Sequence, residues 1–150
     1  MTKLSTPKLT PFLWFDNNAE EAVKFYTAIF KNSKVIQLGP MISTFELEGQ
    51  RLMALSGGPH FKFTDAISIF VSCDSQEEVD YYWERLLRDG GKEQMCGWLK
   101  DKFGLSWQIV PTILSELMSD PDRAKSEKVR QAMLKMIKLD IDALRKASAE

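Results

Sequence analysis

One pattern occurs twice in this sequence, and it constrains the fold more than any other feature does. Two stretches each carry five apolar residues at the helical spacing i, i+3, i+4, i+7 and i+8. They are Ala22, Phe25, Tyr26, Ile29 and Phe30 in the first stretch, and Val79, Tyr82, Trp83, Leu86 and Leu87 in the second. Each position of the second stretch lies 57 residues after its counterpart, and the acid pairs Glu20–Glu21 and Glu77–Glu78 keep the same offset. We interpret the match as an internal duplication.

Strands are predicted on both sides of each helix. The apolar runs "LTPFLWF" (residues 9–15) and "AISIFVSC" (66–73) precede the helices and have the length of buried strands. "KVIQLG" and the hairpin "MISTFELEGQRLMALSGG", with Gly49 in its turn, follow the first helix, and "KEQMCGWLK" and "LSWQIVP" follow the second. Caps are available for both helices, from Asn17 or Asn18 for the first and from Asp74 or Ser75 for the second.

The sequence therefore predicts an α+β fold of two tandem βαβββ modules, residues 9–56 and 66–110, followed by a C-terminal helical extension, 111–150, in a single domain 1–150. In the extension, "PTILSELMSD" predicts a short helix and the residues from Pro121 onward a second helical segment. The apolar stripe of that segment is Val129, Met133, Ile137, Ile141 and Leu144. Such a stripe packs on its own domain or on a partner subunit. A membrane-surface helix is disfavoured because the polar face is mixed in sign.

Composition narrows the class of protein. The chain has 150 residues, a formal net charge of −1 and 44% hydrophobic residues, as ordinary globular proteins do. We expect no nucleic-acid partner, since there is no basic excess, and no membrane partner, since no apolar run is long enough to span a bilayer. Cys73 and Cys96 form neither a disulfide framework nor a metal-ligand spacing, and no signal peptide is evident, so a cytoplasmic location is expected.

The duplicated modules, together with the "D-x-F-G" motif of residues 101–104 before the last strand, resemble the vicinal-oxygen-chelate superfamily. That superfamily includes glyoxalase I, extradiol dioxygenases and bleomycin-resistance proteins. The stretches "WFDNNAEEAVKFYTAIF", "GGPHFKFTDAISIFVSCDSQEEVDYYWERL" and "CGWLKDKFGLSWQIVP" are similar to its PhnB-like branch, which carries the legacy label 3-demethylubiquinone-9 3-methyltransferase. The resemblance implies curved sheets around a cleft and a homodimer, with the modules paired within one chain or across two. It does not imply one chemistry.

Metal-using members of that superfamily place one His, Glu or Gln ligand on each of four strands facing the cleft. By the resemblance, these positions fall at or near Thr10, near Met53, at Ser68 and at Gln108. Hydroxyl, thioether and neutral amide groups are weak ligands for a hard divalent ion, so no metal and no other cofactor is expected. Gln108 then either hydrogen-bonds a ligand or is satisfied by neighbouring backbone.

Strand alternation predicts which other residues face the cleft. Phe12 and Trp14 share the face of Thr10, and Phe70 shares the face of Ser68. The predicted ligand pocket consists of Thr10, Phe12, Trp14, Met53, Leu55, His60, Ser68, Phe70, Trp98 and Gln108. It would suit an apolar or aromatic small molecule, although the same residues could simply fill a core. Lys100 either meets an anionic group or is a solvated turn lysine.

Three functions remain open on the sequence alone. The first is a metal-independent small-molecule-binding protein with an apolar or aromatic cleft. The second is a lyase- or isomerase-type enzyme using Gln108 and His60 in the same cleft. The third is an interaction module whose helical tail docks a partner. The "SGGPHF" stretch precedes no helix, so the sequence gives no support for binding S-adenosylmethionine.

Overall fold

The computed structural model describes residues 6–150. The chain divides into two compact units, and the boundary along the sequence lies between Phe63 and Thr64. The first unit contains one four-stranded sheet, sheet A, and one helix. Its elements are β1 (Phe12–Phe15), α1 (Ala19–Ile29), β2 (Ser33–Gln37), β3 (Ile42–Leu47) and β4 (Gln50–Ser56). The strand order is β1-β4-β3-β2, with β1 parallel to β4 and the other pairs antiparallel.

The second unit repeats this arrangement in sheet B. Its elements are β5 (Ser68–Cys73), α2 (Gln76–Leu87), β6 (Lys92–Glu93), β7 (Trp98–Lys100) and β8 (Ser106–Pro111). The order is β5-β8-β7-β6, again with one parallel pair, β5 and β8. The predicted α+β fold of two βαβββ modules is therefore confirmed.

Each helix covers only one face of its sheet. On α1, Tyr26 is fully buried and stacks on Phe45 of β3, with ring centroids 6.3 Å apart. On α2, Trp83 is buried and donates its indole N–H to Glu93 of β6 at 3.1 Å. We call the helix-covered side of each sheet its back face and the other side its front face.

The two helices begin differently although their sequences match. Ser75 caps α2, since its hydroxyl accepts a hydrogen bond from the backbone N–H of Glu78 at 3.2 Å. Asn18 occupies the same position before α1 but makes no capping bond with its side chain. The N–H of Ala19 instead donates to the hydroxyl of Ser56 at 3.0 Å. Of the two predicted caps, the second is confirmed as Ser75 and the first is replaced by a long-range partner.

Strand β1 is shorter than the sequence predicts. It begins at Phe12, whereas the apolar run suggested a buried strand from Leu9, a residue that is 83% exposed. Pro11 explains the difference, because it has no N–H for a ladder and restricts the residue before it. Only its carbonyl pairs, accepting from the N–H of Met53 at 3.0 Å. Thr10 therefore precedes the strand on which it was placed.

Three helices follow the second sheet: α3 (Ile113–Met118), α4 (Arg123–Leu134) and α5 (Ile141–Ala149). The sequence predicted one helical segment where α4 and α5 stand. The break occurs because the carbonyls of Met136 and Ile137 accept hydrogen bonds from the N–H groups of Cys96 and Gly97, both at 2.8 Å. Asp140 then starts a new helix by accepting from the N–H of Ala143. The predicted stripe is interrupted at Ile137, which is 46% exposed.

The extension packs on the second unit. Val110, at the end of β8, is buried in a cluster completed by Leu114, Val129, Leu139 and Leu144. Gln76 fastens the connecting segment with both ends of its amide, donating to the carbonyl of Leu139 and accepting from the N–H of Ile141. Within residues 6–150, no helix has the length and apolar character needed to cross a membrane.

Candidate functional site

Gln108 lies at the centre of the front face of sheet B. Its strand, β8, is flanked by β5 and β7, which place Phe70 and Trp98 directly opposite Gln108 on its two sides. The amide N–H of Gln108 donates to the hydroxyl of Ser68 at 2.9 Å. Four predicted pocket residues, Ser68, Phe70, Trp98 and Gln108, are therefore brought together on one surface.

Within the protein, Gln108 is satisfied by a side chain. Its amide N–H bonds to the hydroxyl of Ser68 and not to the backbone, as one predicted alternative had it. Gln108 is half-buried, and within residues 6–150 its amide oxygen accepts no hydrogen bond. Phe70 beside it is 56% exposed. The front face of sheet B thus offers a free acceptor next to an exposed aromatic ring.

A second polar group lies further along the same face. Lys100 lies opposite Ser106 in the β7–β8 pair, and its ammonium makes an ion pair with Asp65 at 2.8 Å. Asp65 also accepts longer hydrogen bonds from Gln94, at 3.4 Å, and Ser106, at 3.5 Å. The bond from Lys100 is the largest of the effects that hold the pKa of the Asp65 carboxyl below its ordinary value.

The pairing of Asp65 with Lys100 was not predicted from the sequence. The pairing of β5 with β8, through Ser68 opposite Ser106, brings the residues before β5 towards β7. No local sequence pattern predicts the contact between Asp65 and Lys100, because these residues are 35 positions apart in the chain. Strand order had to be known before Lys100 could be assigned its partner.

Asp101 of the "D-x-F-G" motif has a structural role. Its carboxylate is 3% exposed and accepts from the N–H groups of Phe103, at 2.9 Å, and Leu105, at 3.1 Å. It also accepts from the indole N–H of Trp107 at 2.9 Å. These bonds close the turn between β7 and β8 and orient the strand that carries Gln108.

The front face of sheet A holds the predicted pocket residues of the first unit. Phe12 lies opposite Met53, and Trp14 lies opposite Leu55. Phe12 is 49% exposed, and the other three are half-buried. Thr10 is half-buried just before this strand. In contrast to sheet B, the four strand residues Phe12, Trp14, Met53 and Leu55 offer apolar and aromatic groups and one thioether.

A glycine pair fixes the position of Trp14. A Cβ atom at Gly57 would lie 2.4 Å from the indole ring, so only glycine fits beside it. The indole N–H donates to the carbonyl of Gly58 at 3.0 Å, and Phe61 contacts the ring edge-on at 4.9 Å. His60 is exposed on this same loop. The loop therefore folds over Trp14, and its glycines serve that contact.

Comparison with known proteins assigns a family to this arrangement. Residues 7–110 match the family model described as 3-demethylubiquinone-9 3-methyltransferase. The chain belongs to this family. A PhnB protein from Bacillus cereus is 35% identical, with a TM-score of 0.64, and the match covers 71% of this chain and 100% of that one. The predicted resemblance to the PhnB-like branch of the glyoxalase and bleomycin-resistance superfamily is confirmed.

More distant solved structures share the fold. A glyoxalase-related enzyme from Fulvimarina pelagi is 15% identical, with a TM-score of 0.52, over 72% of this chain and 91% of its own. The fosfomycin resistance protein FosX from Listeria monocytogenes, complexed with Mn(II) and sulfate, is 18% identical, with a TM-score of 0.52, over 69% and 88%. No curated protein matches the chain. The family match ends at residue 110, so α3, α4 and α5 lie outside it.

Four residues were predicted at or near the positions at which metal-using members of the superfamily carry ligands. They offer the hydroxyls of Thr10 and Ser68, the thioether of Met53 and the amide of Gln108, which are weak ligands for a hard divalent ion. Two of them, Ser68 and Gln108, are hydrogen-bonded to each other. Within residues 6–150, no group of three or more His, Cys, Asp or Glu side chains is placed to hold a metal ion.

Cys73 does not add a nucleophile to the site. Cys73 is fully buried at the end of β5. Burial, followed by the charges of Glu78 and Asp74, raises the pKa of its thiol to about 12. The reactive thiolate is therefore absent at neutral pH, as expected of a small buried apolar residue.

Proposed function

We propose that this protein binds a small apolar or aromatic molecule without a metal ion, and that the front face of sheet B contacts the ligand. The observation that carries the proposal is the environment of Gln108. Its amide oxygen accepts nothing within residues 6–150, while Ser68 holds its N–H group and thereby its orientation. A hydrogen-bonding group fixed between two aromatic residues, Phe70 and Trp98, is the usual composition of a small-molecule site.

Metal independence is supported by the donor atoms. A hard ion such as Mg²⁺ or Mn²⁺ is held in proteins chiefly by charged carboxylates, and the residues predicted at or near the four superfamily positions include no carboxylate and no imidazole. The Ser68–Gln108 hydrogen bond occupies the two positions that belong to the second unit. An ion there would meet only two uncharged oxygens, those of the Gln108 amide and the Ser68 hydroxyl, and the hydroxyl already accepts a hydrogen bond.

The methyltransferase name of the family does not guide the proposal for this chain. Dinucleotide and cofactor sites of that class use a glycine-rich turn that leads from a strand into a helix. Here Gly57 and Gly58 follow β4, serve the packing of Trp14 and lead to β5. Their role is accounted for without a cofactor.

The test is an NMR titration of ¹⁵N-labelled protein with small aromatic compounds, with and without EDTA. We expect shift changes at Ser68, Phe70, Trp98 and Gln108 that EDTA leaves unchanged. Gln108→Ala should weaken binding about two- to tenfold, the effect of one hydrogen bond. Gln131→Ala, an exposed glutamine on α4, is the matched control and should bind as the unmodified chain does.

Two outcomes would overturn the proposal. Shift changes confined to other surfaces would contradict the placement of the site on sheet B. Binding that requires added Mn²⁺ would contradict the proposal that no metal ion is needed. Conversion of the compound during the titration would instead establish the alternative, a lyase- or isomerase-type enzyme. In that case, Gln108→Ala and His60→Ala should be compared for turnover.

We also propose a homodimer. The front faces carry large apolar residues that are open to solvent in one chain, Phe12 at 49% and Phe70 at 56% exposed. Exposed apolar area of this kind marks an interaction surface. Light scattering coupled to size exclusion should give twice the 17.2 kDa chain mass, and a monomer mass at all concentrations would contradict the proposal.

A further inference from the structure

Two lysines lie side by side on the front face of sheet B. Lys92 of β6 lies directly opposite Lys100 of β7, so both side chains leave the sheet on the same side. Like charges in directly opposite positions of an antiparallel pair are destabilising. Stability alone therefore does not explain the pair, and a compensating negative charge is expected nearby.

Asp65 compensates only one of the two charges. It is bonded to Lys100 at 2.8 Å, while Lys92 makes no ion pair within residues 6–150. The acid next to Lys92 in sequence, Glu93, lies on the back face, where it accepts from the indole of Trp83. Lys100 carries three N–H donors, of which Asp65 uses one. Lys92, Lys100 and Asp65 together form what we call the cationic corner. It has one positive charge in excess, and ammonium N–H donors remain available there.

This corner lies at a fixed distance from Gln108. Lys100 is opposite Ser106, which precedes Gln108 by two residues on β8. Two residues of a strand span about 6.6 Å. Ser106 itself is 0% exposed and lies beneath the Lys100–Asp65 pair, so the ammonium groups are the part a ligand would meet. The lysine pair and the amide acceptor therefore arise from neighbouring positions on one face of the sheet, with backbones about 6.6 Å apart along the strand.

We propose that the front face of sheet B binds an aromatic carboxylate. Its anionic group is held by Lys100 and Lys92, and its ring lies against Phe70 and Trp98. A hydroxyl on the far end of the ring donates to the free amide oxygen of Gln108. This inference rests on the proposed small-molecule binding and adds the chemical class of the ligand.

The experiment uses a matched pair of probes, 4-hydroxybenzoate and 4-hydroxybenzamide, titrated into the full chain by NMR. They differ in charge and share ring and hydroxyl. We expect 4-hydroxybenzoate to bind about tenfold more tightly, as charge-assisted bonds do. Lys100→Gln should remove that preference, with little change for 4-hydroxybenzamide. A rise in salt should weaken only the benzoate.

The control is Lys138→Gln. Lys138 makes an ion pair with Asp80 at the same distance, 2.8 Å, away from the strands of the sheet. Lys138→Gln should leave the affinity of the protein for both probes unchanged. Asp65→Asn offers a second variant, which removes the compensating charge and should tighten 4-hydroxybenzoate several-fold.

The outcomes separate the inference from the function on which it rests. Equal affinity of the two probes, or loss of both with Lys100→Gln, would overturn the carboxylate assignment while leaving small-molecule binding in place. Binding of neither probe would overturn the carboxylate assignment, and if no other aromatic compound bound either, it would overturn the proposed function. Weaker binding of 4-hydroxybenzoate by Asp65→Asn would also contradict the electrostatic account.

Discussion

The two sheets of this protein have the same topology and different front faces. Sheet A presents Phe12, Trp14 and their partners Met53 and Leu55, which offer almost no hydrogen bonds. Sheet B presents Phe70 and Trp98 on either side of Gln108, with charged groups further along the face. A duplicated backbone has therefore kept its strand order while its exposed side chains have taken separate roles. Backbone pairing and back-face packing set the fold, and the front faces were free to diverge.

The turns of the two units should differ most in what they contribute to stability. In the second unit, Asp101 accepts three hydrogen bonds, two of them fully buried. In the first, the β3–β4 turn has positive φ at Gly49, 84°, and at Glu48, 49°, and the N–H of Glu48 donates outside the hairpin to the carbonyl of Asn32 at 2.6 Å. Asp101→Ala should lower the free energy of unfolding by about 3 kcal/mol or more, since three donors lose their acceptor.

Urea denaturation measures this difference. Gly49→Ala is the matched change in the first unit and should cost only about 1 kcal/mol, since open space surrounds the added methyl group. Equal losses for the two variants would show that the Asp101 bonds add nothing beyond closing a turn.

The next effect concerns the first unit alone. Gly57→Ala places a methyl group where the indole of Trp14 lies, at 2.4 Å from the ring, so the ring must move. We expect a loss of about 2 kcal/mol, typical of overpacking. The accompanying change should appear in the indole N–H signal of Trp14, whose bond to Gly58 would break. An unchanged Trp14 signal would contradict the role assigned to the glycine.

A smaller effect is expected at Gln76, whose counterpart in the first helix is the buried alanine Ala19. The glutamine fastens the segment that joins α4 and α5. Gln76→Ala should cost about 1–2 kcal/mol and raise amide exchange in residues 136–149. Glu77→Ala, on an exposed neighbour, is the control. Unaltered exchange in that segment would show that the apolar cluster alone holds the extension.

The smallest effect is the pH dependence of the Lys100–Asp65 pair. Asp65 has a folded pKa below its ordinary value, so its contribution to stability is present above the ordinary pKa of an aspartate, 3.8, and is lost as the pH falls through the lowered value. NMR titration of the Asp65 carboxyl should show this lowered midpoint. Lys100→Gln should return the midpoint of Asp65 toward 3.8. An unchanged midpoint would contradict the ion pair between Lys100 and Asp65.

Much of the fold could be predicted because helical periodicity and strand alternation are local. The offset between Ala22 and Val79 revealed both modules. Local patterns failed where a distant partner decided the outcome. The first strand begins later than predicted because of Pro11. The single predicted C-terminal helix is divided because the N–H groups of Cys96 and Gly97 donate to the carbonyls of Met136 and Ile137.

The candidate site shows the same division. Alternation correctly grouped Ser68 with Phe70, since both lie on one strand face. The ion pair of Lys100 with Asp65 and the bond from Gln108 to Ser68 depended on strand order, which a single sequence does not state. Asp101 was noticed in its motif, but its three partners became evident only in the folded turn.

The attachment of the C-terminal extension has a consequence for how the sequence can change during evolution. A Cβ atom at Gly97 would lie 2.9 Å from the carbonyl oxygen of Ile109 and 3.0 Å from the side chain of Leu139, and the amide of Gln76 meets the same stretch of chain from the other side. The contact with Ile109 and the positive φ of Gly97, 83°, do not depend on the extension, so a relative that ends after β8 should keep a glycine at this position. The bonds of Gln76 to Leu139 and Ile141 exist only with the extension, so a descendant that lost the last forty residues should be free to change Gln76.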